Sequence, residues 1–314
     1  MVNKAVLKPG KLKAGSWRRD FRLNYDLYLL SIPAFVLFAV FCYFPMYGLQ
    51  IAFRDFMPSL GITGSEWIGL ENFIRFFRSF IAWPLIRNTL FISVYGLLWG
   101  FPAPIFLALM LNELKQARFK KTVQTVTYAP YFMSTVAIVG MITIFTAPES
   151  GIINHFIALF GGERVNFLSK PEYFRTIFIA SGIWESAGWG SIIYIAALSG
   201  VDPQLYEAAT IDGANRLQRI WNVDIPCIMP TMVIMLILRM GHIMSVGFEK
   251  VLLLQNPLNL NVSEVISTYV YQVGLIRGEY SFSAAVGLFN NVINLILLVC
   301  VNKIARKISE TSLW

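Results

Sequence analysis

The sequence is short of charge. Asp, Glu, Lys and Arg make up only 14% of its 314 residues, whereas about 25% is usual for soluble domains. Hydrophobic residues reach 56%, and the mean hydropathy is +0.59. A soluble globular fold is therefore excluded, and lipid is the predicted surroundings of most of the chain.

Metal-binding and nucleotide-binding patterns are lacking as well. The three cysteines, Cys42, Cys227 and Cys300, are too far apart for a disulfide framework or zinc site and are expected to pack within or at the ends of apolar helices. The two histidines have no ligand-spaced neighbours, so no metal site is predicted. No Gly-x-x-x-x-Gly-Lys-Ser/Thr loop is present, so this chain is not expected to bind ATP phosphates.

Long stretches with little or no charge are the main positive feature. A bilayer core about 30 Å thick needs about 20 helical residues. Six segments meet this length and predict six transmembrane helices in an all-α integral membrane domain over 27–302: 27–53, 88–112, 122–148, 176–200, 228–247 and 281–302. The fourth contains Glu185, and the fifth contains Arg239 and His242.

Lys and Arg predict the orientation. If the N-terminus is cytoplasmic, the segments on that side hold sixteen of these residues and the opposite segments hold nine. This excess places the basic tail 1–26, the connection 201–227 and the tail 303–314 in the cytoplasm. The excess of Lys and Arg on the cytoplasmic side, known as the positive-inside rule, and the attraction of basic segments to anionic lipid headgroups account for the net charge of +8. No nucleic-acid partner is therefore predicted.

The connection 201–227 contains two helix signals around a glycine. Asp202-Pro203 is a typical helix start, and Gly213 can take the left-handed conformation that ends a helix. Leu217, Ile220 and Trp221 then mark a second amphipathic helix toward Pro226. We call this helix-Gly-helix segment, 203–226, the elbow.

The charges of the elbow have two interpretations. Asp212 and Arg216 are four residues apart and could form an ion pair on a solvated loop. The apolar faces around Ala208 and Ala209 and around Leu217 instead favour a partner protein that covers them.

The elbow resembles the cytoplasmic motif of binding-protein-dependent ABC importer permeases. That motif is Glu-Ala-Ala, three residues, Gly, nine residues and Ile-x-Leu-Pro; here EAA occupies 207–209, Gly is at 213 and VDIP occupies 223–226. Val for Ile and Ile for Leu change only side-chain shape. Five further stretches resemble LplB-type polysaccharide permeases, a branch of the MalF-like sugar permeases: YFPMYGLQIAFRDF, WIGLENFIRFF, NTLFISVYGLLWGFPAPIFLALMLNE, GFEKVLLLQNP and YSFSAAVGLFNNVINLILL.

The resemblance implies a type I ABC importer permease fold in the inner membrane of a bacterial cell. It implies a heterodimer with a second homologous permease, two cytoplasmic ATPase subunits that bind ATP and magnesium, and an extracytoplasmic solute-binding protein. The implied substrate is an oligosaccharide or polysaccharide, as in the MalF-like permeases of alginate importers. The implied ATPase-coupling residues are Tyr206, Glu207, Ala208, Ala209, Asp212, Gly213 and Pro226.

A polar layer is predicted inside the bundle. Glu185, Arg239 and Asn290 each lie about 12 to 14 Å from the end of a span opposite the elbow, counting ~1.5 Å per residue. Intramembrane charges usually face the bundle interior. The structural interpretation is a Glu185–Arg239 ion pair; in the functional one, these residues line the substrate route. The candidate substrate-pathway residues are Trp184, Glu185, Trp189, Arg239, His242, Asn290, Asn291 and Asn294.

Three other functions stay open at this point. An ion-coupled secondary sugar transporter would use Glu185 as a proton or sodium site. A membrane enzyme acting on lipid-linked sugar would need paired carboxylates or a metal, which the sequence does not indicate. A passive scaffold would not depend on Glu185 or Arg239.

Overall fold

The computed structural model describes residues 21–309, and it is mostly helical. The predicted tails therefore lie partly outside the described residues. One helical run opens the described chain: an α-helix over Tyr25–Phe38, a π-helical turn over Ala39–Tyr43 and a 3₁₀-helix over Phe44–Phe53. Only Ala52 of this run is buried. Its other side chains need lipid or protein to cover them.

The remaining helices follow in chain order. They are Gly61–Gly64, Glu71–Arg78, Ala82–Gly100, Pro102–Asn112, Ala117–Tyr128, Ala129–Phe132 (3₁₀), Thr135–Thr146, Ile152–Leu159, Pro171–Ser199, Pro203–Ile211, Arg216–Arg219, Ile220–Asp224 (π), Ile225–Met240, Phe248–Leu254, Leu260–Ser263, Ile266–Tyr271, Gln272–Ile276 (π) and Tyr280–Ser309. Two short strands, Arg54–Asp55 and Glu66–Trp67, pair antiparallel with Arg54 opposite Trp67.

Four helical runs in the described part of the chain are long and apolar enough to cross a membrane: Tyr25–Phe53, Ala82–Asn112, Arg216–Met240 and Tyr280–Lys307. A bent pair, Ala117–Phe132 with Thr135–Thr146, gives a fifth if it counts as one span. Helix Pro171–Ser199, the predicted fourth span, has 29 residues but is not in this set. It carries Glu185 and many Gly, Ser and Trp residues.

The segment predicted as the third span is not one straight helix. Its two helices meet at an angle of 104°. Pro130, which has no N–H for a helical bond, lies in a 3₁₀ turn, and the Ser134 side chain then caps the next helix by accepting a hydrogen bond from Ala137 N. The predicted fifth span also shifts, because the observed helix begins at Arg216 and ends at Met240.

Helix Pro171–Ser199 lies at the centre of the molecule. It packs against Ala82–Gly100, Pro102–Asn112, Ala117–Tyr128 and Ile225–Met240. Buried Phe178 and Ile179 join one core cluster with Ile92 and Val251, while Tyr194 and Leu198 join another. The three cysteines are exposed rather than packed in these cores, which corrects the expectation from the sequence.

Candidate functional site

The first arm of the elbow begins and ends as predicted. The Asp202 carboxylate accepts a hydrogen bond from Gln204 N at 2.9 Å, and the helix runs over Pro203–Ile211. Gly213 has φ +74°. Ala214 N donates to the carbonyl of Ala209 and Gly213 N to that of Thr210, a Schellman motif that stops the helix sharply.

The second arm starts with a capping box. Gln218 N donates to Asn215 Oδ1 at 2.9 Å, and Asn215 N donates to Gln218 Oε1 at 2.7 Å. The helix that follows continues without interruption into the apolar run that ends at Met240. The predicted second helix is therefore confirmed, and it is directly joined to a candidate span.

Five side chains hold the elbow against the end of helix Pro102–Asn112. We call this set, Asn112, Glu113, Tyr206, Arg219 and Asp224, the elbow cluster. Tyr206 Oη donates to Asp224 Oδ1 at 2.5 Å, and Asn112 Nδ2 lies 3.5 Å from Tyr206 Oη. Arg219 Nη2 lies 3.0 Å from Glu113 Oε2. Within residues 21–309 Asp212 and Arg216 form no ion pair, and Arg216 Nε lies 3.9 Å from Glu113 instead.

Burial gives the elbow cluster its electrostatic character. Asp224 is fully buried, and burial together with the Asp224 hydrogen bond raises the pKa of Tyr206 to about 12. The phenol is therefore protonated throughout the physiological range and always available as the donor.

The outer surface of the elbow is apolar and exposed. Ile211 is 85% exposed, Leu217 68% and Trp221 67%. Of the predicted coupling residues, Tyr206 and Ala209 are half-buried, and Glu207, Ala208, Asp212, Gly213 and Pro226 are exposed.

A cavity of about 550 Å³ is lined mainly by helices Ala82–Gly100 and Pro171–Ser199 and by residues between 239 and 250. Three predicted pathway residues, Glu185, Arg239 and His242, line it. Lys250 lines it too, although the sequence analysis placed this residue in a connection outside the membrane. Glu185 and Arg239, which the sequence predicts at one depth, thus line the same cavity, and Asn290 is not among the residues that line it.

The predicted Glu185–Arg239 ion pair is wrong. Lys250 Nζ lies 3.0 Å from Glu185 Oε2, and Arg239 donates to the main-chain carbonyls of Gly96 at 3.0 Å and Gly100 at 3.4 Å. Lys250 reaches Glu185 because Val251 and Leu254 of helix Phe248–Leu254 pack in the same core cluster as Phe178, which is on the helix that carries Glu185. In the sequence, the available signal is the short apolar stretch VLLL at 251–254, which follows Gly247 and is too short to cross a bilayer. Such a stretch can fold back into the bundle.

The other predicted pathway residues lie outside the set that lines the cavity. Asn294 accepts a hydrogen bond from Met244 N at 2.9 Å and donates to Ser245 Oγ at 3.3 Å. Asn290 is buried and Asn291 exposed. Trp189 stacks on Tyr131 with ring centroids 4.8 Å apart, and Trp184 is 46% exposed. The geometry therefore places three of the eight predicted pathway residues at the cavity and the other five outside it.

Comparison with known proteins decides the family. Residues 100–310 match the model of the "binding-protein-dependent transport system inner membrane component" family. The chain belongs to this family. It is thus an inner-membrane permease component of a transport system.

Relatives of this permease extend over nearly the whole chain. It is 46% identical to the polygalacturonan/rhamnogalacturonan transport system permease protein YteP of Bacillus subtilis (strain 168), over 92% of this chain and 90% of the relative. It is 42% identical to protein LplB of the same organism, over 98% and 96%. A crystal structure of a bacterial ABC transporter involved in the import of the acidic polysaccharide alginate matches with a TM-score of 0.86 and 41% identity, over 93% of this chain and 99% of that one.

A second solved structure shows such a transporter with a periplasmic protein. It is the bacterial alginate ABC transporter in complex with an alginate pentasaccharide-bound periplasmic protein, with a TM-score of 0.87, 40% identity and coverage of 95% and 99%. The type I permease fold implied by the resemblance is confirmed by these matches. The number of spans and the position of the termini stay predictions.

Proposed function

We propose that this permease is the translocation subunit of an ATP-driven importer for acidic oligosaccharides. The observation that carries the proposal is the elbow: two capped helices whose outer apolar side chains are exposed and whose inner side is fixed to the end of helix Pro102–Asn112 by the elbow cluster. Such a surface suits a cytoplasmic ATPase that pushes on the bundle. ATP and magnesium bind the ATPase, and this chain performs no catalysis.

The proposed assembly is a heterodimer of two homologous permeases above two ATPase subunits, with a solute-binding protein on the opposite side. The solved alginate transporter bound to its periplasmic protein supports this arrangement. Within it, this chain has six spans, with both termini and the elbow on the cytoplasmic side. The contacts with the ATPase are made by the coupling residues predicted from 206 to 226.

The substrate class follows from the relatives. The cavity is lined by the cationic groups of Arg239 and Lys250 and by the carboxylates of Glu185 and Glu249, with Glu185 as the partner of Lys250. YteP is named for polygalacturonan and rhamnogalacturonan, and the solved transporter imports alginate, an acidic polysaccharide. We therefore assign uronate-containing oligosaccharides to the route, with Glu185, Arg239 and His242 in its polar wall.

An ion-coupled mechanism through Glu185 has less support. A proton or sodium site needs a carboxylate that exchanges its cation, whereas Glu185 is paired with Lys250 at 3.0 Å. The family match also favours the ATP-driven reading.

The test is uptake by proteoliposomes that contain the complete importer. Labelled alginate pentasaccharide is supplied with its binding protein, and the control is the same pentasaccharide with its carboxyl groups reduced. We expect uptake to require ATP on the elbow side, to survive ionophores that collapse proton and sodium gradients, and to fall at least tenfold for the reduced sugar. Uptake that follows the ion gradient without ATP would establish the Glu185 alternative instead.

A further inference from the structure

The guanidinium of Arg239 donates hydrogen bonds to the main chain of a neighbouring helix. Its Nη2 donates to the carbonyl of Gly96 and its Nη1 to that of Gly100, at 3.0 and 3.4 Å. An intact helix would pair the Gly100 carbonyl with the N–H of residue 104, but residue 104 is proline and has none. Arg239 therefore supplies a donor to a carbonyl that Pro104 leaves without its helical partner.

The contact also depends on the lack of a side chain at Gly100. A Cβ atom at this position would lie 2.9 Å from Arg239 Nη2, so any side chain would displace the guanidinium. The lack of a side chain at 100 and the lack of an N–H at 104 serve the same contact. Unpaired backbone groups inside a membrane bundle are resatisfied by neighbouring groups in this way.

The helical runs Arg216–Met240 and Ala82–Asn112 are also joined at a second point. The run Arg216–Met240 contacts the run Ala82–Asn112 through Arg239 near one end and through the elbow cluster at the other, where Arg219 meets Glu113. Arg219 and Arg239 are twenty residues apart, roughly 30 Å along a helix. A displacement of the elbow is therefore carried to the cavity wall by a run that is held at both ends.

We infer that Arg239 is a positioning residue: it holds the junction between helices Ala82–Gly100 and Pro102–Asn112 against helix Ile225–Met240 so that movement of the elbow changes the cavity. It acts through the main chain of the neighbouring helix and not as a charge that binds the sugar. The transport part of this inference rests on the proposed function; the structural part does not.

A double-mutant cycle between Arg239→Met and Pro104→Ala tests the inference. Pro104→Ala returns an N–H to the Gly100 carbonyl, so the loss caused by Arg239→Met becomes smaller in that background. We expect Arg239→Met alone to shorten the half-life of the purified complex in nanodiscs at raised temperature by about three- to tenfold, the range of interhelical hydrogen bonds in membranes. In the Pro104→Ala background the same substitution changes it less than twofold.

Gly100→Ala provides a second variant that leaves Arg239 and its charge in the chain. It is expected to reproduce the loss of Arg239→Met. The matched control is Gly140→Ala, because Gly140 is also helical and its Cβ would have no atom within 4 Å. The control should keep the half-life of the unmodified complex.

Uptake of alginate pentasaccharide separates positioning from sugar binding. A positioning role lowers the maximal rate of Arg239→Met and leaves the half-saturating concentration within twofold. A tenfold rise in that concentration, restored by Arg239→Lys, would overturn the inference, as would equal losses in both backgrounds of the stability cycle. If the sugar is not transported at all, the proposed function fails while the stability cycle still decides the role of Arg239.

Discussion

At the residue scale, the Lys250–Glu185 pair is a largely buried ion pair whose loss should lower stability. Lys250 has a side chain only 9% exposed, and Glu185 one 26% exposed. Lys250→Met leaves the carboxylate without its partner, which costs about 1–3 kcal/mol for a buried group. Removing both charges in Lys250→Met with Glu185→Gln should recover most of this loss, because a buried pair replaced as a whole is nearly neutral.

Thermal unfolding of the purified complex checks this prediction. Lys115→Met is the matched control, since Lys115 is exposed and its removal should change stability by less than about 0.5 kcal/mol. A double variant less stable than Lys250→Met alone would show that the two side chains do not depend on each other.

Counting residues along predicted spans found Glu185 and Arg239, because depth in a helix follows directly from the rise per residue. The same count could not find Lys250 as a partner. It assumes that a segment between two spans stays outside the membrane, whereas helix Phe248–Leu254 packs inside against Thr135–Thr146. Which charges meet is decided by tertiary packing, which a single sequence does not display.

At the element scale, the sharp stop of the first elbow helix depends on Gly213. Its φ of +74° is in the left-handed region, and an added Cβ would meet no atom within 4 Å. Gly213→Ala therefore costs only backbone strain, about 1–2 kcal/mol. We expect it to shift the first arm and to lower the uptake per ATP hydrolysed severalfold without loss of the folded chain.

Gly161→Ala is the control for strain alone. Gly161 has φ +79° and equally open space, but it follows helix Ile152–Leu159, far along the chain from the elbow. It pays the same conformational cost and should leave the ratio of uptake to ATP hydrolysis unchanged. If both variants lower that ratio equally, the effect belongs to general destabilisation and not to the elbow.

The elbow could be predicted closely because its signals are local. Asp202-Pro203, Gly213 and the run to Pro226 act within a few residues, and the helix ends follow them. The 104° break between Phe132 and Thr135 was not predicted. Pro130 in the sequence is compatible with a bend, but prolines also occur in straight membrane bundles, so the sequence alone does not distinguish a straight span from a sharply bent one.

At the scale of the whole molecule, the structure connects a surface and a cavity through one helical run. Arg216–Met240 begins in the elbow and ends beside the cavity, and it is held to Ala82–Asn112 at both levels. Helix Pro171–Ser199 packs against both runs and carries Glu185 into the cavity. Because the elbow cluster fixes the first elbow helix to the run Arg216–Met240, a force on the elbow acts on the run directly.

This mechanism requires the elbow and the strand pair to lie on opposite sides of the membrane. With the three native cysteines replaced, we expect a cysteine at exposed Ser59, between the two strands, to react with an impermeant maleimide on spheroplasts, whose outer membrane has been removed. A cysteine at exposed Gln204 in the elbow should react only after the membrane is opened.

The assembled importer supplies the second half of this prediction. Because an ATPase on the elbow should cover Gln204→Cys, its labelling rate in opened membranes should fall severalfold when the ATPase subunits are present, while Ser59→Cys keeps its rate. The cysteine-free chain gives the background. Labelling of Gln204→Cys in sealed spheroplasts would place the elbow on the side without ATP, where no nucleotide-driven subunit could push on it, and the run Arg216–Met240 would then have nothing to transmit.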